Sequence, residues 1–144
     1  MFFKETLRMY PIGNSIVGRR CVNETTINGV KLPENLTIVA DVLSVHYNPD
    51  IWGPHDPNEF YPERFAPGIK RAPAAFMGFG LGPRNCIGMK FAFLEAKIAL
   101  VRILKNFEIL PSKNFPDKLE FVEGIVRKPK DGVTISLQPR KIID

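Results

Sequence analysis

The chain has 144 residues, 44% of them hydrophobic, and a formal net charge of +5 at pH 7, which is the size and make-up of one globular domain. No apolar run approaches the ~18 residues of a membrane-spanning helix, and Met1-Phe2-Phe3-Lys4-Glu5 lacks the basic start and long apolar stretch of a secretory signal. Two cysteines and two histidines are too few for a disulfide framework and are not spaced for zinc. Lysine and arginine are spread along the chain without the dense run that would favour nucleic acid, so the positive charge reads as a solvated surface.

In chain order, Phe2 to Met9 reads as a short helix, stopped before Tyr10 by the restriction that Pro11 places on its neighbour. Ile16-Val17 and Cys21-Val22 suggest strand. Thr25-Thr26-Ile27 and Val30-Lys31-Leu32 flank Asn28-Gly29, a two-residue hairpin signal. Leu36 to Ala40 is a further β-rich run, and Asp41 is placed to cap a short helical turn reaching His46. From Pro49 to Pro73 the prolines interrupt any regular pattern, but Trp52, Phe60, Tyr61 and Phe65 point to a packed loop, because linkers are poor in aromatics. Ile87 to Phe107 is the one long helix. Its apolar residues at Ile87, Phe91, Leu94, Ile98 and Val101 are widened by Ala92, Ala96, Ala99, Leu100, Ile103 and Leu104, a width that predicts burial on more than one side. The tail, Leu119 to Val126 and Val133 to Leu137 around Lys130-Asp131-Gly132, reads as a β-hairpin. No internal repeat or low-complexity tract is present.

The most specific signal is Phe79-Gly80-Leu81-Gly82-Pro83-Arg84-Asn85-Cys86-Ile87-Gly88, of the form F-x-x-G-x-R-x-C-x-G. Cysteine binds metal as the thiolate. Immediately before a helix, Cys86 would have its negative charge stabilised by free backbone N–H groups and the helix dipole. With Glu5-Thr6-Leu7-Arg8 and Pro62-Glu63-Arg64-Phe65 in the same order along the chain, this loop resembles the haem-thiolate loop of the cytochrome P-450 family, most of all its animal microsomal members. The resemblance implies an α+β chain that forms the carboxy-terminal third of a mainly-α fold. Its parts would be short β-hairpins, a proline-rich meander, the cysteine loop and one long proximal helix, with residues 1–144 as one partial domain.

The same resemblance implies haem as cofactor, with Cys86 the axial and metal ligand. Hydrogen bonds from loop N–H groups would tune the sulfur. Phe79 would shield the sulfur, and Gly82 would take a positive φ. Gly88 would let the helix approach the porphyrin, and Arg84 would pair with a propionate. Arg19 or its neighbour Arg20 would bind the second propionate. Glu5, Arg8 and Arg64 would form a buried structural network that locks the proline-rich loop onto the first helix. Members usually carry proline where this chain has Gly78, ahead of Phe79. His46, in His46-Tyr47-Asn48-Pro49, takes a structural role. Ile12 to Ile16 and Gly124 to Val126 match segments lining the substrate pocket. Asn23-Glu24-Thr25 and Asn35-Leu36-Thr37 are formal glycosylation sequons, expected to be unused.

Partners implied are an apolar small-molecule substrate and a reductase, the latter meeting Lys70, Arg71, Lys90 and Lys97 on the cysteine side. The implied site is the cytosolic face of the endoplasmic reticulum membrane. The resemblance covers essentially the whole chain but not the family's membrane anchor or its distal helix, so no catalytic residue beyond the cofactor set is expected here. Two function classes follow: a haem-thiolate monooxygenase that inserts one atom of O₂ into its substrate, and a catalytically inert truncated fragment or interaction module. A peroxide isomerase of the same fold is a third reading, disfavoured by the standard spacing of Phe79 to Gly88.

Overall fold

The computed structural model describes residues 1–13, 18–124 and 126–140. It mixes helices with small sheets: α1 (Phe2–Met9), β1 (Gly18–Arg20), β2 (Thr25–Ile27), β3 (Val30–Leu32), β4 (Thr37–Val39), α2 (Val42–His46), α3 (Pro49–Trp52), α4 (Met89–Asn106), β5 (Phe107–Pro111), β6 (Phe121–Val122), β7 (Lys128–Pro129) and β8 (Ile135–Pro139). The described strands pair antiparallel as β1–β4, β2–β3, β5–β8 and β6–β7. No described helix is long and apolar enough to cross a membrane.

The first half follows local chemistry closely. α1 ends where expected, with Tyr10 N–H closing on the Thr6 carbonyl at 2.8 Å. Asn28 and Gly29 take φ of 50° and 80°, the pair of positive values that a tight hairpin turn requires. Asp41 caps α2 by accepting the Ser44 N–H at 3.0 Å. The strand expected at Cys21-Val22 lies earlier, at Gly18–Arg20, where Arg19 pairs with Ile38. Cys21 instead turns the corner into the hairpin, giving its N–H to Leu36 and taking that of Asn35, both at 2.8 Å. The strand reading at Ile16-Val17 falls outside the described residues.

The proline-rich stretch is packed, and it is more regular than its composition suggested. Asn48 caps α3, and Pro62–Phe65 forms a 3-10 turn, each with proline at the start of the helix, where a missing N–H costs nothing. Trp52 is buried, donates to the Val45 carbonyl at 3.0 Å and lies 5.4 Å from the Phe65 ring. Arg8 and His46 lie 5.4 and 6.4 Å from its ring, and Leu7, Val42 and Glu5 are buried with them. The core is thus built where α1, α2, α3 and the proline-rich segment meet.

Two expectations for the second half need correction. The long helix begins at Met89, because Cys86 to Gly88 form a turn and Gly88 is the N-cap; no residue of α4 is buried. The arms of the tail do not pair with each other. β8 lies instead beside β5, with Phe107 opposite Pro139 and Pro111 opposite Ile135, while β6 pairs with β7. The pattern that marked Val133 to Leu137 as strand carries no information about its partner, and the sequence reading assigned no element to Glu108 to Pro111, directly behind α4.

Candidate functional site

The cysteine loop is shaped by its glycines and by three backbone hydrogen bonds. Gly80 and Gly82 adopt φ of 73° and 76°, conformations that side chains with a Cβ rarely take. Gly80 N–H bonds the Met77 carbonyl at 3.0 Å, Asn85 N–H bonds Gly82 at 3.1 Å, and Cys86 N–H bonds Phe79 at 2.8 Å. The last of these closes the loop on itself, from the motif's phenylalanine to its cysteine. Cys86 is a free, exposed thiol two residues before the N-cap of α4, not immediately at it, and its carbonyl takes the Met89 N–H at 3.3 Å. Gly88 has φ of −82°, and a methyl there would meet Cys86 Sγ at 3.8 Å. That distance is ordinary van der Waals contact, so a methyl would sit against the sulfur without displacing it.

A cavity of about 440 Å³ opens in front of the loop. Its wall is almost entirely apolar, from Leu7, Ile12, Met77, Phe79 and Ile87, with Cys86, Arg84 and Arg19 bringing the chemistry. The period-two alternation of β1 decides which arginine faces it. Arg19 lines the cavity, whereas Arg20 is turned away and donates to Asn35 Oδ1 at 2.8 Å. Ile12 and Gly13 of the expected substrate-lining segment reach the wall; Asn14 to Ile16, and Ile125 of the second such segment, lie outside the described residues. Phe79 is fastened from behind: its ring is 5.2 Å from Phe93 of α4, which is 5.0 Å from Phe3 of α1. Phe93 carries no signal in the sequence beyond belonging to an apolar helix.

Behind this wall the structure brings Glu5, Arg8 and Arg64 together. Arg8 forks onto both oxygens of Glu5, Nε to Oε2 at 2.8 Å and Nη2 to Oε1 at 2.9 Å, the planar bidentate arrangement available to arginine and not to lysine. Glu5 Oε1 also receives Arg64 Nε at 3.3 Å and the Tyr61 N–H at 3.0 Å. Burial works to raise the Glu5 pKa, but the Arg8 and Tyr61 hydrogen bonds and the charges of Arg8 and Arg64 outweigh it and hold the carboxyl below its ordinary value. Both guanidinium groups spend their remaining donors on carbonyls: Arg8 on His46 and Pro57, Arg64 on Trp52, His55 and Asp56.

Arg71 differs from its expected place on a free basic surface. It stacks over Trp52 at 4.8 Å and donates to the Ile51 and Arg64 carbonyls at 3.1 and 2.5 Å, so it belongs to the packed segment. Lys70, Lys90 and Lys97 are exposed.

Among the described residues no group of three or more His, Cys, Asp or Glu is placed to hold a metal ion. A metal here would need a prosthetic group to supply the other ligands. The site thus combines an exposed thiol at a glycine-shaped loop, an apolar cavity before it and two arginines on its wall, within a chain of mixed helices and small sheets.

Comparison with known proteins gives that combination its family. The family model described as Cytochrome P450 matches residues 1–135, and the chain belongs to the cytochrome P450 family. It is similar to cytochrome P450 3A19 of Capra hircus aegagrus, 39% identical over 142 residues, which are 97% of this chain and 64% of that protein. It is also similar to cytochrome P450 3A41 of Mus musculus, 37% identical over 145 residues, or 99% of this chain and 28% of that one. With CYP13A6 of Caenorhabditis elegans it shares 41% identity over 140 residues, 95% of this chain and 27% of the relative. The chain therefore spans from about a quarter to just under two thirds of the length of these relatives.

Proposed function

We propose that this chain forms the cysteine-bearing wall of the haem site of a monooxygenase, with Cys86 as the axial thiolate. The observation that carries the reading is the convergence of an exposed Cys86, Arg84 and Arg19 on one apolar cavity. These residues fit a haem: a flat apolar body with two anionic arms asks for one soft ligand, an apolar wall and two cations. Bound there, haem supplies activation of dioxygen, and a thiolate ligand favours O–O cleavage by pushing electron density to the iron.

The chain's own residues prepare that chemistry. The Cys86 N–H bond to Phe79 sets the direction of the ligand. Arg84 and Arg19 offer charge-assisted hydrogen bonds to the two propionates. Leu7, Ile12, Met77, Phe79 and Ile87 give the cavity an apolar wall. Glu5, Arg8 and Arg64 act as structural residues that tie α1 to the proline-rich segment. The substrate would be an apolar small molecule. Electrons would come from a reductase whose acidic surface meets Lys90 and Lys97, at the endoplasmic reticulum membrane where animal members of the family work. The exposed apolar face of α4 favours a second reading for the chain by itself, an inert interaction module whose docking surface is that helix.

The test is spectroscopic. In the haem-loaded full-length protein, reduction under carbon monoxide should give the red-shifted Soret band of a thiolate-ligated ferrous haem. Cys86→Ser should abolish that band, and Cys21→Ser should leave it. A band of the histidine-ligated type, or no haem in the folded parent, would overturn the assignment.

A further inference from the structure

One buried side chain joins the Glu5 network to the cysteine loop. His46, the last residue of α2, is fully buried. Its Nδ1 lies 2.9 Å from the Arg8 carbonyl oxygen, and its Nε2 lies 2.9 Å from the Met77 backbone nitrogen. A carbonyl only accepts and an amide N–H only donates, so the two contacts require the neutral ring with its proton on Nδ1. Burial first, and the Arg8 charge after it, press the His46 pKa down to about 4 against the pull of the Arg8 carbonyl, in keeping with a neutral ring.

The residue is gripped at its main chain as well, since Arg8 Nη1 donates to the His46 carbonyl at 2.7 Å. The ring lies parallel to Phe76 at 5.5 Å and edge-on to Trp52 at 6.4 Å. Phe76 in turn fills the space beside Gly78, where an added Cβ would come within 2.7 Å of the ring. The glycine that stands in place of the family's usual proline is therefore matched to the ring that His46 holds. Beyond this point the path to the cysteine is short: Met77 takes the Gly80 N–H, and Phe79 takes the Cys86 N–H.

We infer that His46 is a positioning residue for the cysteine loop, a doubly hydrogen-bonded spacer between α1 and Met77 that fixes where the loop begins and so where Cys86 presents its sulfur. Its consequence for haem ligation rests on the Cys86 reading above; the positioning itself does not.

Two variants separate hydrogen bonding from packing. His46→Phe keeps a ring against Phe76 and removes both bonds, whereas His46→Gln keeps one donor and one acceptor and removes the ring. In His46→Phe the Met77 amide loses its buried acceptor, so its hydrogen exchange should rise about tenfold in the haem-free protein. In the haem-loaded protein the thiolate-type carbon monoxide band should fall to less than half. His46→Gln should keep both readouts near the parent. Unchanged exchange in His46→Phe, or equal defects in the two variants, would overturn the inference. Nitrogen NMR of the parent tests it without any variant: a proton on Nδ1 supports it and a proton on Nε2 refutes it. Failure of the haem reading would show separately, as a parent with no thiolate band but an intact exchange response.

Discussion

Arg64 shows how much a single side chain carries here. It is buried to 2% exposure, and its donors reach Glu5 and the carbonyls of Trp52, His55 and Asp56. Arg64→Ala leaves Glu5 with Arg8 as its one charged partner and takes a donor from the carbonyls of Trp52, His55 and Asp56, a loss of about 3 to 5 kcal/mol for a broken buried pair. Arg64→Lys should recover less than half, because an ammonium cannot span the fork of acceptors. Chemical denaturation of the two variants measures both; a loss below about 1 kcal/mol in the alanine variant would contradict the network. The residues of this network were legible through the family resemblance, since the three-residue spacing of Glu5 and Arg8 by itself reads as an ordinary surface ion pair. Arg71 did not, since its partners are main-chain carbonyls of Ile51 and Arg64, and a backbone acceptor leaves no mark on residue identity.

Among elements, α4 is the anomaly. Phe91, Leu94, Ile98 and Val101 are between 47% and 69% exposed, and a shallow cavity of about 550 Å³ lies along the same face. A contiguous apolar stripe of this kind is a recognition or self-association surface rather than a solvated one. The 144-residue chain by itself should therefore self-associate, and Phe91→Glu combined with Val101→Lys should shift it toward monomer in sedimentation. A parent that stays monomeric at high concentration would contradict this. The helix was legible from its period, as was the Asn28-Gly29 hairpin from its turn chemistry, because both depend on neighbours within a few residues. The β5–β8 pairing was not: its partners are up to 32 residues apart, and only tertiary contact selects them.

At the scale of the whole molecule, the polar core links stability to pH. His46 is pressed from 6.5 to about 4, so the unfolded chain binds a proton before the native one does. Its share of stability is full above pH 6.5 and fades as pH falls toward 4, by roughly 3 kcal/mol in all at about 1.4 kcal/mol per unit. Glu5, also held below its ordinary value, has the same sign: its contribution is present above the unfolded carboxylate pKa and is lost as pH falls further. Denaturation midpoints should drop between pH 6.5 and 4 in the parent, and His46→Gln should flatten that part of the curve. An equal drop in the variant would place the effect elsewhere.

The sequence by itself determined α1, the Asn28-Gly29 turn, the presence of one long helix and the residue types of the cysteine loop and the charge network, because each is written in contiguous or motif-spaced residues. It left Arg19 and Arg20 tied, and only the pairing of β1 with β4 turned Arg19 to the cavity and Arg20 to Asn35. It also marked His46 as structural without naming its partners. Its two ring nitrogens acquire their meaning from Arg8, 38 residues before it, and Met77, 31 after it. A buried polar group must find partners wherever the fold brings them, and those partners are backbone atoms that every residue possesses. Their choice is made by three-dimensional packing and not by the order of side chains.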